Sequence, residues 1–174
     1  NWGALIYYKL PIKKNTKFDK INNIIELGAG IGLLGAAFLK LKKNIKYFII
    51  DIPPASFISE YYLKSLNFKT FGYEELLNSK KNNINFDSYQ VICIPTWSID
   101  LLKNIKADLF INIDSFQEIE KEQTLNYLNK ISENAPNYIY LHNAINGHFK
   151  TSKVGTFGVL NPTTMQDCEI SLQK

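Results

Sequence analysis

A glycine-rich turn after an apolar strand is the feature that most limits what this chain can fold into. Residues 24–32 read IIELGAGIG, and an apolar helical pattern begins directly after them. Glycine reaches backbone conformations that other residues avoid, and its small size lets backbone N–H groups approach a ligand. A second apolar strand, residues 46–51, ends in the carboxylate of Asp51. Together these elements predict one nucleoside-binding half of an open α/β sheet.

The spacing of the glycines distinguishes between two kinds of nucleoside ligand. A dinucleotide-binding G-x-G-x-x-G pattern that starts at Gly28 would need glycine at position 33, which is Leu33. The chain instead has Gly28, Gly30 and Gly32, with Glu26 two residues before the first of them. This arrangement resembles motif I of the class I methyltransferases, which bind S-adenosylmethionine.

The resemblance implies S-adenosylmethionine as the cofactor. A carboxylate at Glu26 suits the ammonium and sulfonium charges of that molecule and would repel a pyrophosphate. Asp51 lies where an acid can accept hydrogen bonds from both ribose hydroxyls. The predicted cofactor-binding residues are Glu26, Gly28, Ala29, Gly30, Gly32, Asp51 and Ile52.

Apolar segments that alternate with helical patterns predict the order of the elements. Strands are expected at residues 23–27, 46–51, 89–94, 108–113 and 138–142, and helices at residues 32–42, 55–66, 73–77, 98–104 and 119–134. The rest of residues 67–88 is expected to be loop. This alternation predicts a Rossmann-like open, mostly parallel twisted sheet with helices on both faces.

The length and composition suit one domain. The chain has 174 residues, of which 45% are hydrophobic. We expect a lead-in at residues 1–22, a cofactor-binding core at residues 23–143, and C-terminal strands and loops at residues 144–174. A complete class I methyltransferase adds two strands after the core, for which only residues 156–160 and 168–172 offer apolar segments. We therefore also consider a C-terminal part of the fold that is short, reordered or incomplete. Since the chain begins with Asn1, we also consider it a fragment of a longer protein.

Charge and cysteine content exclude several other classes. The net charge is +4, and all 20 basic residues are lysine, so the bidentate forks with which arginine grips phosphate or guanine are absent. We therefore expect no nucleic-acid partner. No signal peptide and no membrane-length apolar run occurs, which predicts a cytoplasmic protein without a membrane partner. Two distant cysteines and no clustered histidines predict no metal site.

A second resemblance concerns the segment after the fourth predicted strand. Residues 108–119 read DLFINIDSFQEI, which resembles the sugar O-methyltransferase family, although Ile119 stands where that family usually has methionine. The matching residues are Asn112, Ser115, Phe116, Gln117 and Glu118. Residues 49–53 are similar to the Asp-Leu-Pro segment of the same family. The resemblance implies methyl transfer to a sugar hydroxyl in glycan biosynthesis, with a small-molecule or glycan acceptor.

Methyl transfer to a hydroxyl requires alignment of the acceptor and removal of its proton. The candidate catalytic residues are Glu118, His142 and Asp114, and the candidate substrate-binding residues are Ser115, Gln117 and His148. Each has a structural alternative. Glu118 could interact favourably with a helix dipole, and Ser115 could cap the same helix. Asp114 could hold the loop through a local hydrogen bond.

Two rival functions stay open at this point. The first is an NAD-linked oxidoreductase or epimerase with an atypical glycine turn, against which Leu33 and Glu26 argue. The second is a methyltransferase-like module that binds cofactor or a partner without turnover. The residues assign neither the acceptor nor the oligomeric state.

Overall fold

One parallel sheet organises the chain. The computed structural model describes residues 11–79, 84–147, 149–153 and 155–173. Within them, six strands form the sheet: β1 (Asn23–Leu27), β2 (Lys46–Asp51), β3 (Thr70–Phe71), β4 (Val91–Pro95), β5 (Leu109–Ile113) and β6 (Tyr138–His142). Their order is β3-β4-β2-β1-β5-β6, and the pairings that join them are parallel. The prediction of a Rossmann-like open parallel sheet is confirmed.

The central strands are apolar on both faces because helices cover both sides of the sheet. In β1 and β5, alternate residues point to two separate apolar clusters. Ile24 and Ile111 belong to one cluster, and Ile25 and Phe110 belong to the other. All four side chains are fully buried. The two clusters hold the sheet between its helical layers.

Residues 11–15 are helical, and five further α-helices follow within the described residues. They are α1 (Leu33–Leu41), α2 (Pro53–Ser65), α3 (Tyr73–Asn78), α4 (Lys121–Ser132) and α5 (Met165–Leu172). Phe38 of α1 and Leu63 of α2 pack on one face of the sheet, while Leu128 of α4 and Cys168 of α5 pack on the other. Among these helices none combines the length and apolarity needed to cross a bilayer.

The sequence pattern did not predict one of the six strands. The prediction of loop on either side of the short helix in residues 67–88 is wrong at Thr70–Phe71, which form β3 at the edge of the sheet. Two residues are too few to show a period, and this strand exists through its pairing with β4. The short helix itself is confirmed as α3.

The C-terminal strands were also wrongly predicted. Residues 168–172 belong to α5, whose start is capped by Thr164 and Asp167 in a reciprocal pair of hydrogen bonds. Cys168 and Leu172, four residues apart, both face the core, which is a helical period. Residues 156–160 form no strand in the part of the chain that the structure describes. Val159 there makes an isolated bridge to Lys150.

Smaller boundary errors follow from capping and turns. The helix predicted at residues 98–104 is a 3-10 turn, Thr96–Leu102. The helix predicted at residues 119–134 is shorter at both ends, as α4 (Lys121–Ser132), and a separate 3-10 turn, Phe116–Glu118, precedes it. Glu118 therefore ends the short turn and does not open the long helix. Helix α2 begins two residues before the prediction, at Pro53, because proline fits the first helical position.

Candidate functional site

The strand order makes the space beside β1 the switch point of the sheet, where open α/β folds have a ligand crevice. From β1 the chain proceeds to β2 on one side, and later returns to place β5 on the other side. In open α/β sheets, ligands bind at such a switch point, outside the carboxyl ends of the strands. The glycine turn follows β1, Asp51 ends β2, and residues 114–118 follow β5. The residues predicted from the glycine motif and from the second resemblance thus come to one edge of the sheet.

The three glycines of the turn have different surroundings. Gly28, Gly30 and Gly32 have φ values of 77°, 58° and 78°, a region that disfavours other residues. A Cβ on Gly28 would lie 2.2 Å from Ser115 Oγ, and a Cβ on Gly32 would lie 3.1 Å from Ser59 Cβ. A Cβ on Gly30 would have no heavy atom of the described residues within 4 Å. Gly28 and Gly32 therefore serve packing, whereas Gly30 borders open space.

Asp51 fastens the turn to the end of β2. Its Oδ2 accepts a hydrogen bond from the Gly30 N–H at 2.8 Å, and its Oδ1 accepts one from the Ile52 N–H at 2.8 Å. Burial raises the pKa of this carboxyl, and the two backbone donors oppose the rise. The carboxylate is thus held beside Gly30, while the side chain of Ile52 is exposed.

Glu26 lies beneath the turn, inside the sheet. The residue is 3% exposed, and its Oε2 accepts a hydrogen bond from the Tyr47 hydroxyl at 2.9 Å. Burial raises the pKa of Glu26 to about 7; the bond from Tyr47 opposes this rise and the nearby Asp51 carboxylate adds to it. Sequence reasoning missed Tyr47. The available signal was a tyrosine within the buried strand β2, since a buried hydroxyl needs a partner.

An amide network joins the ends of β1, β5 and β6. Asn112 is fully buried, and its Nδ2 donates to Leu27 O at 2.9 Å and to Ser115 Oγ at 2.6 Å. Its Oδ1 accepts from Asn143 Nδ2 at 2.9 Å and from the Phe116 N–H at 3.3 Å. Asn143 was not predicted, because its partners are distant in sequence. The network fixes the segment after β5 against the glycine turn.

Two of the predicted substrate-binding residues make structural contacts. Ser115 packs on Gly28 and accepts the bond from Asn112. Gln117 Oε1 accepts a hydrogen bond from the Ala144 N–H at 2.7 Å, which joins the segments that follow β5 and β6. The predicted cap by Ser115 is wrong, since its side chain makes no capping bond to the turn that follows. His148, the third predicted residue, lies outside the described residues.

Asp114 and His142 form a pair at the adjacent ends of β5 and β6. His142 Nδ1 and Asp114 Oδ1 are 3.3 Å apart, and the Asp114 N–H donates to His142 O at 2.7 Å. The side chain of Asp114 is 50% exposed, and that of His142 is 41% exposed. Asp114 has φ 56°, an uncommon conformation for a residue with a side chain. Glu118, the third candidate base, is exposed in the neighbouring turn.

The two larger cavities of the described residues lie outside this crevice. One of about 580 Å³ lies between α3 and the turn after β4, and its wall includes Tyr73, Leu76, Trp97 and Leu101. A second, of about 600 Å³, lies at the opposite edge, where Asn23 and Lys46 begin their strands. Within the described ranges, no group of three or more metal-ligating side chains occurs.

Three solved structures share this fold, and two of them are named as O-methyltransferases. PigF, solved with SAH, matches 99% of this chain and 50% of its own at 13% identity and a TM-score of 0.56. A proposed O-methyltransferase from Nostoc punctiforme matches 98% of this chain and 48% of its own at 12% identity and a TM-score of 0.56. The mitomycin 7-O-methyltransferase MmcR matches 79% of this chain and 35% of its own, at 11% identity and a TM-score of 0.53.

The fold is that of the class I methyltransferases. This chain spans between 35% and 50% of the length of those three structures. No protein-family model matches the chain, and no curated protein matches it at a significant level. At these identities the likeness establishes the fold.

Proposed function

We propose that the chain binds S-adenosylmethionine and transfers its methyl group to a hydroxyl of a small-molecule acceptor. The observation that carries the proposal is the joint between the glycine turn and Asp51. The Gly30 N–H is bonded to the strand-terminal carboxylate, and a ligand can approach the Gly30 backbone through the open space described above. The class I fold places this joint at its switch point.

The residues present fit the cofactor. Each Asp51 oxygen accepts one backbone hydrogen bond and has a further lone pair for a ribose hydroxyl. Ile52, exposed next to it, offers an apolar contact for a base. Glu26 contributes negative charge from below the turn, and its burial assigns it an electrostatic role. Gly28, Ala29 and Gly32 shape the turn that borders the ligand.

The pair at the ends of β5 and β6 supplies the base. When bound, S-adenosylmethionine provides an electrophilic methyl group on a sulfonium. His142 receives the proton of the acceptor hydroxyl, and Asp114, in contact with Nδ1, orients the ring and stabilises its cationic form. Glu118, exposed nearby, is the alternative base.

The acceptor that we propose is a sugar. Residues 112–118 resemble the sugar O-methyltransferase family, and polar side chains from two strands are exposed at this edge of the sheet. Such groups can satisfy the donors and acceptors of a polyhydroxyl ligand. Ser115 and Gln117, in the segment after β5, border the proposed acceptor site. A screen with labelled S-adenosylmethionine and a panel of sugars and sugar nucleotides tests this part, and transfer only to phenols or amines would contradict it.

Titration calorimetry of the 174-residue chain tests the cofactor. We expect micromolar binding of S-adenosylmethionine and S-adenosylhomocysteine and none of NAD. Asp51→Ala should weaken binding by about 1–3 kcal/mol, the scale of hydrogen bonds to a charged group. Asp87→Ala, which removes an exposed carboxylate at the opposite edge, is the matched control and should bind normally. Unchanged affinity in the Asp51 variant would refute the ribose assignment, and preference for NAD would refute the class.

A further inference from the structure

The buried contact between Tyr47 and Glu26 has a direct relation to the proposed cofactor site. Glu26 is in β1, one residue before the last, and Tyr47 is near the start of β2. Both side chains point to the face of the sheet that α1 covers, and the tyrosine hydroxyl donates to Glu26 Oε2 at 2.9 Å. The glycine turn begins two residues after Glu26. The bonded pair therefore lies directly beneath the glycine turn.

The position of the tyrosine ring is fixed by its surroundings. Helix α1 passes close above it at Gly35, where an added Cβ would lie 3.1 Å from the ring. The ring also stacks near Phe38, with centroids 6.2 Å apart. Tyr47 is fully buried. Since the ring cannot move away, the hydroxyl is held against the carboxylate in whichever charge state the carboxylate has.

The charge of this carboxylate is finely balanced. The titratable groups that interact with it in the described part of the chain are Tyr47 and, at the end of β2, Asp51. Burial and the Asp51 charge favour the neutral form of Glu26, whereas the tyrosine hydroxyl favours the ionised form. The resulting pKa of Glu26 is about 7. Loss of the hydroxyl would raise it further and leave the carboxyl largely protonated at neutral pH.

We propose that Tyr47 is a positioning residue that keeps Glu26 ionised, and that the ionised carboxylate makes the site prefer the sulfonium donor to its neutral thioether product. The inference rests on the proposed function. S-adenosylmethionine and S-adenosylhomocysteine differ by one methyl group and one positive charge. A buried negative charge under the turn therefore attracts the donor more strongly than the product, because the low-dielectric interior screens it poorly. This preference favours exchange of product for donor after each turnover.

The test compares the two ligands by calorimetry at pH values below and above 7. The quantity of interest is the ratio of the product Kd to the donor Kd. In the wild-type chain this ratio should rise as the pH rises through the pKa of Glu26, about 7. Tyr47→Phe should move that rise to higher pH and lower the ratio at neutral pH by roughly five-fold. Tyr89→Phe, which removes a hydroxyl elsewhere in the core, is the matched control and should behave as wild type.

The variant Glu26→Gln distinguishes titration of the Glu26 carboxyl from titration of groups on the ligands themselves. Any pH dependence of the Kd ratio that is present in wild type and absent from this variant is due to Glu26. Tyr47→Phe in the Glu26→Gln background should change nothing further, which a purely structural role of the hydroxyl would not predict.

A ratio in Tyr47→Phe that equals that of wild type at every pH would overturn the inference, as would equal weakening of both ligands. If the tyrosine variant does not fold, Glu26→Gln with Tyr47 intact decides, and an undiminished pH dependence in it overturns the inference. A wild-type chain that binds neither ligand refutes the proposed function itself, and the inference falls with it.

Discussion

The two sides of the crevice are built in opposite ways. On the side of β1 and β2, three glycines with positive φ and two buried carboxylates form the site, and backbone groups face the open space. On the side of β5 and β6, side chains and not backbone groups face the open space. Asp114 and His142 are half exposed, while the amides of Asn112 and Asn143 hold their segments from below. The first side suits one fixed ligand, and the second presents reactive groups to solvent.

This difference predicts which changes affect binding and which affect turnover. The glycine side should set cofactor affinity and the stability of the turn. The side-chain side should set the rate of transfer with little effect on the cofactor. Four substitutions, from the largest expected effect to the smallest, test that division.

His142→Ala should lower the rate of methyl transfer by about 10²–10⁴-fold, the usual contribution of a general base. The Kd for S-adenosylmethionine should stay within about two-fold of wild type, since the change removes nothing from the glycine side. Single-turnover kinetics with the best acceptor from the sugar screen measures the first quantity, and calorimetry the second. Glu118→Gln is the comparison: a large rate loss there and a normal rate in His142→Ala would assign the base to Glu118.

Gly28→Ala should destabilise the fold by about 4 kcal/mol, because the added methyl group overlaps Ser115 and alanine disfavours φ 77°. Urea denaturation measures the free energy of unfolding. Combining the change with Ser115→Gly removes the overlap and leaves the backbone strain of about 1–2 kcal/mol. Equal effects of Gly28→Ala in the two backgrounds would show that Ser115 is not the obstacle.

Glu26→Gln should increase the stability of the unliganded chain at alkaline pH by about 3 kcal/mol. Folding raises the pKa of Glu26 from 4.5 to about 7, and one pKa unit corresponds to about 1.4 kcal/mol. The folded state binds the proton more tightly, so stability falls as the pH rises from about 4.5 to about 7 and stays low above it. The variant should lack this fall. Denaturation of both proteins at several pH values measures it, and parallel curves would contradict the expectation.

Gly30→Ala should cost only about 1 kcal/mol of stability, from backbone strain alone, since described atoms leave its Cβ position open. Cofactor affinity should nevertheless fall, because the methyl group occupies the space that we assign to the ligand. Thermal denaturation and calorimetry on the same sample measure the two effects. Normal affinity in this variant would place the ligand elsewhere and remove the distinction between Gly28 and Gly30.

The sequence predicted the long strands of the sheet better than it predicted the short strand β3 and the C-terminal helix α5. Long buried parallel strands are continuous apolar runs, so β1 and β2 were predicted at their observed bounds, as was the partly exposed edge strand β6. Strand β3 has two residues and depends on its neighbour, and α5 is a short amphipathic segment whose period was misread as a strand. Both errors lie where tertiary contacts decide the local structure.

The same contrast holds within the site. The glycine turn and Asp51 were visible because each signal is local: a residue type at a fixed distance from a strand end. Tyr47 and Asn143 were not predicted, since each acts on a residue of another strand. Asp114 and His142 were named separately as bases. Only the pairing of β5 with β6 shows that they are in contact.

The bonds of Asn112 have a consequence for motion. One buried side chain holds the end of β1, the segment after β5 and the segment after β6 together. We therefore expect the two halves of the crevice to move together, because separating them would break several buried hydrogen bonds at once. In the proposed site we therefore expect ligand exchange to involve the exposed residues beside the frame, such as Ile52, while the spacing that Asn112 sets is kept.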